Sequence, residues 1–118
     1  MTDPLSKIRE AALELPETEE RLSHGQSTFF VAGKQFAQFR DNHHGDGKTV
    51  VCVRISGLDE QAMLLEADPE TYSKPAYLPS WISIDVAGAS VDWDHVGDRI
   101  AASWELAAPR RLLEAGGR

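Results

Sequence analysis

From residue 28 to residue 55 the apolar side chains return at a spacing of two, while the segments on either side repeat every three to four positions. A helix places every third or fourth side chain on one face and a strand every second, so this change of period commits the chain to a sheet flanked by helices. Residues 28–32, 34–40 and 49–55 are rich in Phe, Val and Ile, and each is bounded by a glycine or a polar cluster. They read as consecutive antiparallel strands. Gly33 closes the first hairpin, and Asn42-His43-His44-Gly45-Asp46-Gly47 closes the next, with glycines where other residues would clash at positive φ.

The flanks supply the helices. Asp3 before Pro4 is an N-cap and first-turn pair, and Leu5, Ile8, Ala12 and Leu15 form a helical stripe that Pro16 stops. Glu10 and Glu14 lie on the exposed side of this helix, and Glu17, Glu19 and Glu20 extend its acidic ridge, which reads as a solvated face. Leu58, Ala62 and Leu65 mark a short helix ending before Asp68-Pro69. The proline-rich passage 74–79 leads into a strand at 81–86, where Ile82, Ile84 and Val86 alternate cleanly. Asp92 caps the last long helix, striped by Val96, Ile100, Trp104 and Ala107, and a short turn at 110–115 follows Pro109. Grouped strands with helices at the flanks imply an α+β two-layer sandwich, an antiparallel sheet with helices packed on one face and the first and last long helices side by side. With 118 residues the expectation is a single domain spanning 1–118 around one core.

Composition narrows the partners. The net charge of -7 sets the summed field against phosphate backbones unless the 12 basic residues gather locally. Cys52 is the single cysteine and lies in an apolar strand run, so a reducing, cytoplasmic setting is expected and Cys52 reads as a packing residue. No stretch matches a membrane span, and residues 1–4 lack the basic start of a signal peptide.

In a two-layer fold the strands divide their side chains between the helices and an open face. Val51, Val53, Ile55, Ile82, Ile84 and Val86 are expected to face the helices, leaving Cys52, Arg54, Trp81, Ser83 and Asp85 on the other side. Strict alternation adds Lys34, Phe36, Gln38 and Arg40 to that open face, where they would form a ligand platform. The polar loop is the second candidate. His24, His43, His44, Asp41 and Asp46 are metal-ligating types, but adjacent histidines on an extended chain diverge and no His-x-x-x-His or Cys-x-x-Cys pair occurs. The calcium-loop template fails from Asp41, where Asp46 stands in place of the glycine and Cys52 in place of the glutamate. Gly25-Gln26-Ser27 begins like a nucleophile elbow, but Phe29 occupies the second glycine position. Consecutive hairpins should bring His24 to the same sheet edge as the loop from Asn42 to Gly47.

Many short landmarks in order carry a family resemblance: Ala12-Leu13-Glu14-Leu15-Pro16 with Glu19-Glu20, Ser23-His24-Gly25, Thr28-Phe29, Gly33-Lys34-Gln35-Phe36-Ala37, Asn42-His43-His44-Gly45-Asp46-Gly47, Asp68-Pro69, Tyr77, Trp81, Asp92-Trp93 and Ala108-Pro109-Arg110-Arg111-Leu112. From Arg9 onward the chain resembles the MmcQ/YjbR family, which implies a double-wing, frataxin-like (CyaY-like) α+β fold. The resemblance also implies a non-enzymatic, DNA-binding regulator with no catalytic residues to carry over. On that reading Lys34, Arg40, Lys48 and Arg54, the basic residues near the hairpins, meet the nucleic acid. The alternative is a small-molecule or metal site built from His24, Asn42, His43, His44, Asp46 and Trp81, marked by a concave pocket rather than a convex basic surface. Neither reading calls for a cofactor.

Overall fold

The structure, a computed structural model, describes residues 3–42, 45 and 47–115. Expectations resting on His43, His44 and Asp46 lie outside the described residues. The elements run α1 (Pro4–Leu13), β1 (Thr18–Ser23), β2 (Gln26–Val31), β3 (Lys34–Asp41), β4 (Thr49–Arg54), α2 (Leu58–Ala67), β5 (Tyr72–Ser73), β6 (Trp81–Asp85), α3 (Trp93–Ala107) and α4 (Arg110–Glu114). The strands form one antiparallel sheet in the order β1-β2-β3-β4-β6-β5.

The caps act as the sequence requires. Asp3 accepts a hydrogen bond from Ser6 N–H at 2.8 Å with Pro4 in the first turn, and Asp92 accepts from His95 N–H at 3.2 Å. The first two hairpins turn through consecutive positive-φ residues, His24 (53°) with Gly25 (78°) and Ala32 (49°) with Gly33 (83°). That pairing is the primed two-residue turn whose twist matches the strands it joins.

One face of the sheet holds the core. Phe29, Val31, Ala37, Val51, Val53, Ile82 and Ile84 pack against Ile8 and Ala12 of α1, Leu64 of α2, and Val96, Ile100, Trp104 and Ala107 of α3. Helices α1 and α3 lie against each other, and Trp104, fully buried, donates its indole N–H to the Pro16 carbonyl at 3.1 Å. Each fully buried side chain of this size contributes about 1.5–3 kcal/mol.

Three expectations need correction. Thr18–Ser23 is an edge strand, so Glu19 and Glu20 belong to the sheet and do not prolong the ridge of α1. The charged residues had masked it, yet charges on an edge strand discourage pairing with other chains. The two-residue strand β5 was also unforeseen, since it is too short to show a period. Finally, Phe36 lies in the helix-covered core and not on the open face, and Lys34, paired with the core residue Val31, falls on the helix side as well.

The cause is a bulge. Phe29 pairs with Ala37 but Phe30 pairs with Gln35, so Phe36 has no partner on β2 and the alternation of β3 slips by one residue. Phe36 and Ala37 both turn inward, while Gln35, Gln38 and Arg40 share the opposite side. Helix α3 holds this irregularity. Ser103 Oγ donates to the Phe36 carbonyl at 2.5 Å and accepts from Arg54 N–H at 2.8 Å, bridging β3 and β4 just beyond the Ala37–Val53 pair.

Candidate functional site

The face away from the helices is polar at its centre. Thr28, Gln38, Arg40 and Ser83 are all buried there, around a small cluster of Val50, Cys52 and Trp81 on which Leu78 packs. Buried polar groups need partners, and a continuous chain supplies them. Thr28 Oγ1 donates to the Gln26 carbonyl at 3.1 Å, Gln38 Nε2 donates to Thr28 Oγ1 at 3.0 Å, and Arg40 Nε donates to Gln38 Oε1 at 2.9 Å. The chain ends on the covering loop, where Arg40 Nη1 donates to the Ala76 carbonyl at 3.0 Å.

This loop, residues 74–80, arches over the sheet. Tyr77 and Ser80 both sit at φ 65°, a conformation that non-glycine residues adopt at a cost, and Tyr77 is 81% exposed. Between loop and sheet lies a cleft of about 630 Å³. Ser23 and His24 form one end, Gln26, Gln35, Gln38 and Arg40 the floor, and Tyr77 and Leu78 the wall. Arg54 stands beside it, with Nε donating to the Gln35 carbonyl at 2.7 Å and its guanidinium 5.2 Å from the Trp81 ring centre. Burial pulls the Arg54 pKa below its ordinary value.

The structure therefore brings His24 and Arg40 into one cleft and sets Trp81 and Arg54 next to it. Asn42 serves its own turn: its Oδ1 accepts from Gly47 N–H and its N–H donates to the Lys48 carbonyl, both at 2.7 Å. His24 and Asn42 do share one end of the sheet, because Thr28 pairs with Gln38 and the strands run on together from there. The basic residues do not assemble into one surface. Lys34 and Lys48 are exposed near opposite ends of β3, about 23 Å apart at roughly 3.3 Å per residue. Arg40 is buried between them.

Sequence reasoning missed Gln26, Gln35, Tyr77, Leu78 and Ser23. The signal for Tyr77 and Leu78 was their place between Pro75 and Pro79, which holds an aromatic outward on a stiffened loop.

A second cavity of about 490 Å³ lies near β5, β6 and the start of α3, lined by Asp68, Glu70, Tyr72, Asp85, Asp92 and His95. The Tyr72 hydroxyl is hydrogen-bonded to His95 Nε2. Three of its acids cap local turns, with Asp68 accepting from Thr71 N–H, Asp85 from Ala87 N–H and Asp92 from His95 N–H. Among the described residues no group of three His, Cys, Asp or Glu is placed to hold a metal, and no helix is long and apolar enough to cross a membrane.

The YjbR family model matches residues 13–106, which spans all six strands, the covering loop and most of α3. The chain belongs to the YjbR family. Within solved structures, this YjbR chain is similar to the crystal structure of Deinococcus radiodurans protein DR2400, which carries the family-model domain DUF419. The TM-score is 0.76 at 16% identity, covering 97% of this chain and 88% of that one, so the likeness speaks for the fold. No curated protein matches the sequence.

Proposed function

We propose that this YjbR-family chain is a non-enzymatic small-molecule-binding protein whose ligand occupies the cleft between the open sheet face and the loop at 74–80. The observation that carries this is the cleft itself: about 630 Å³, within the range of small-ligand pockets, with amides and a guanidinium converging on one side and Tyr77 and Leu78 on the other. Binding is favoured over turnover because the lining groups are mostly amides, hydroxyls and a guanidinium, which hold ligands but do not exchange protons near neutral pH.

The same geometry weighs against a duplex partner. Phosphate recognition draws on exposed lysines and arginines aligned on one surface. Here Lys34 and Lys48 stand near opposite ends of a strand, while Arg40 is buried beneath the covering loop and Arg54 is held by the Gln35 carbonyl.

The test is amide chemical-shift mapping of the full chain with a mixed-charge fragment set, run beside a DNA duplex at low salt. Shifts should concentrate at Gln26, Gln38, Arg40 and residues 76–78. Fragment shifts centred elsewhere, or duplex binding that weakens in Lys34→Ala and Lys48→Ala, would overturn the proposal.

A further inference from the structure

Elsewhere among the described residues of this acidic chain, arginines find carboxylates. Arg9 pairs with Glu20, Arg21 with Glu19, Arg99 with Glu60, Arg110 with Glu114 and Arg111 with Glu17. Among the described residues, the two arginines outside these pairs are Arg40 and Arg54, both on the open sheet face. Arg40 is the more demanding case. It is only 6% exposed, and its acceptors, Gln38 Oε1 and the Ala76 carbonyl, are both neutral. Burying a guanidinium without a counter-charge is costly, and the cost falls when an anion arrives.

The remaining donors of Arg40 define where that anion would sit. Nε and Nη1 are engaged, whereas Nη2 meets no described acceptor, and the side chain lines the cleft. The Nη2 N–H groups can donate a charge-assisted hydrogen bond to a carboxylate oxygen. Among the described residues the Arg40 guanidinium meets no carboxylate, and one such cation matches one negative charge. Arg54, the next cation, is held by the Gln35 carbonyl and the Trp81 ring and does not line the cleft, so among the described lining residues a dianion finds no second guanidinium. Opposite the guanidinium, Tyr77 and Leu78 offer an aromatic and an aliphatic surface for the body of the ligand.

Building on the reading of the cleft as a ligand site, we infer that it takes a small aromatic monocarboxylic acid, with the carboxylate on Arg40 and the ring against Tyr77 and Leu78. The Gln38 side chain fixes the plane of the guanidinium through its bond to Nε and acts as a positioning residue.

The experiment titrates three probes into the full chain by amide chemical shift: benzoate, its neutral counterpart benzamide, and phenyl phosphate. Benzoate should bind about tenfold or more tightly than benzamide, the difference expected for one charge-assisted contact. Arg40→Met should erase that preference, and Tyr77→Ala should weaken both probes while keeping their ratio. If Arg40→Met does not fold, the comparison of benzoate with benzamide on the unaltered chain still decides. Benzamide binding in the cleft as well as benzoate does would overturn the carboxylate assignment and leave the cleft standing as a ligand site. Phenyl phosphate binding more tightly than benzoate would overturn the monoanion assignment. Silence from all three probes would overturn the inference, and the mixed-charge fragment map would then decide the cleft separately.

Discussion

Replacing Ser103 with alanine tests whether helix α3 holds the bulge that shapes the cleft floor. Ser103 is fully buried, and its one hydroxyl satisfies both the Phe36 carbonyl at 2.5 Å and the Arg54 N–H at 2.8 Å. Ser103→Ala leaves two backbone groups unpaired in the interior, each costing about 1–3 kcal/mol. Partial closure of β3 on β4 would recover some of this, so we expect a net loss of about 2–4 kcal/mol. An unfolding entropy of roughly 2.1 cal/mol/K per residue puts about 0.25 kcal/mol/K on a chain of 118 residues, and the melting temperature should fall by about 8–16 °C. Urea unfolding followed by tryptophan fluorescence, with calorimetry beside it, measures both quantities. Because the bulge turns Gln35 toward the cleft, the amide signals of Gln35 and Phe36 should shift as well. A loss below about 0.5 kcal/mol, the size of an ordinary surface change, would refute the claim that this hydroxyl is a structural bridge.

Further outcomes follow from the same contacts. Arg9 grips Glu20 with two hydrogen bonds, at 2.6 and 2.8 Å, and chiefly through them holds the Glu20 carboxyl below its ordinary value of 4.5. The stabilisation is therefore complete above pH 4.5 and disappears as pH falls through the lower folded value. Glu20→Gln should be less stable than the parent above pH 4.5 and should converge with it at lower pH. The gap should not exceed about 1 kcal/mol, because Arg9 is 42% exposed and water screens the pair. In the first hairpin turn, His24 occupies φ 53°, which asparagine tolerates better, so His24→Asn should raise stability by about 0.5 kcal/mol in thermal unfolding. Lower stability in that variant would mean that the imidazole makes contacts worth more than the turn strain. Trp104→Ala should cost about 3–5 kcal/mol in urea unfolding, through the cavity and the lost bond to Pro16; a loss under 2 kcal/mol would contradict its place at the centre of the core.

Much of the fold could be read from local chemistry. The change of period at the strands, the Asp3-Pro4 and Asp92 caps and the stop at Pro109 each depend on neighbours a few residues away, and the inward set of Val51, Val53, Ile82 and Ile84 follows from alternation alone. What escaped depends on distant residues. The bulge at Phe36 is held by Ser103, 67 positions later, and no pattern within β3 announces it. Edge strand β1 is charged, and its strand character comes from pairing with β2, reinforced where the Arg21 guanidinium stacks 4.2 Å from the Phe30 ring centre. At the site, alternation placed Gln38, Arg40 and Trp81 on the open face. It did not place the loop at 74–80 over them, because a loop's position depends on the strands it crosses. Nor could the sequence show which of the described arginines meet a described carboxylate, since every pairing but those of Arg21 and Arg110 joins residues far apart in the chain.

The most direct test of the cleft as a binding site is a crystal structure of the full chain grown with benzoate. Density for benzoate is expected between the sheet and the loop at 74–80, with its carboxylate within hydrogen-bonding distance of Arg40 Nη2 and its ring against Tyr77 and Leu78. A structure in which a carboxylate of the protein itself occupies that position on Arg40, with the loop closed down and benzoate absent from the cleft, would contradict it.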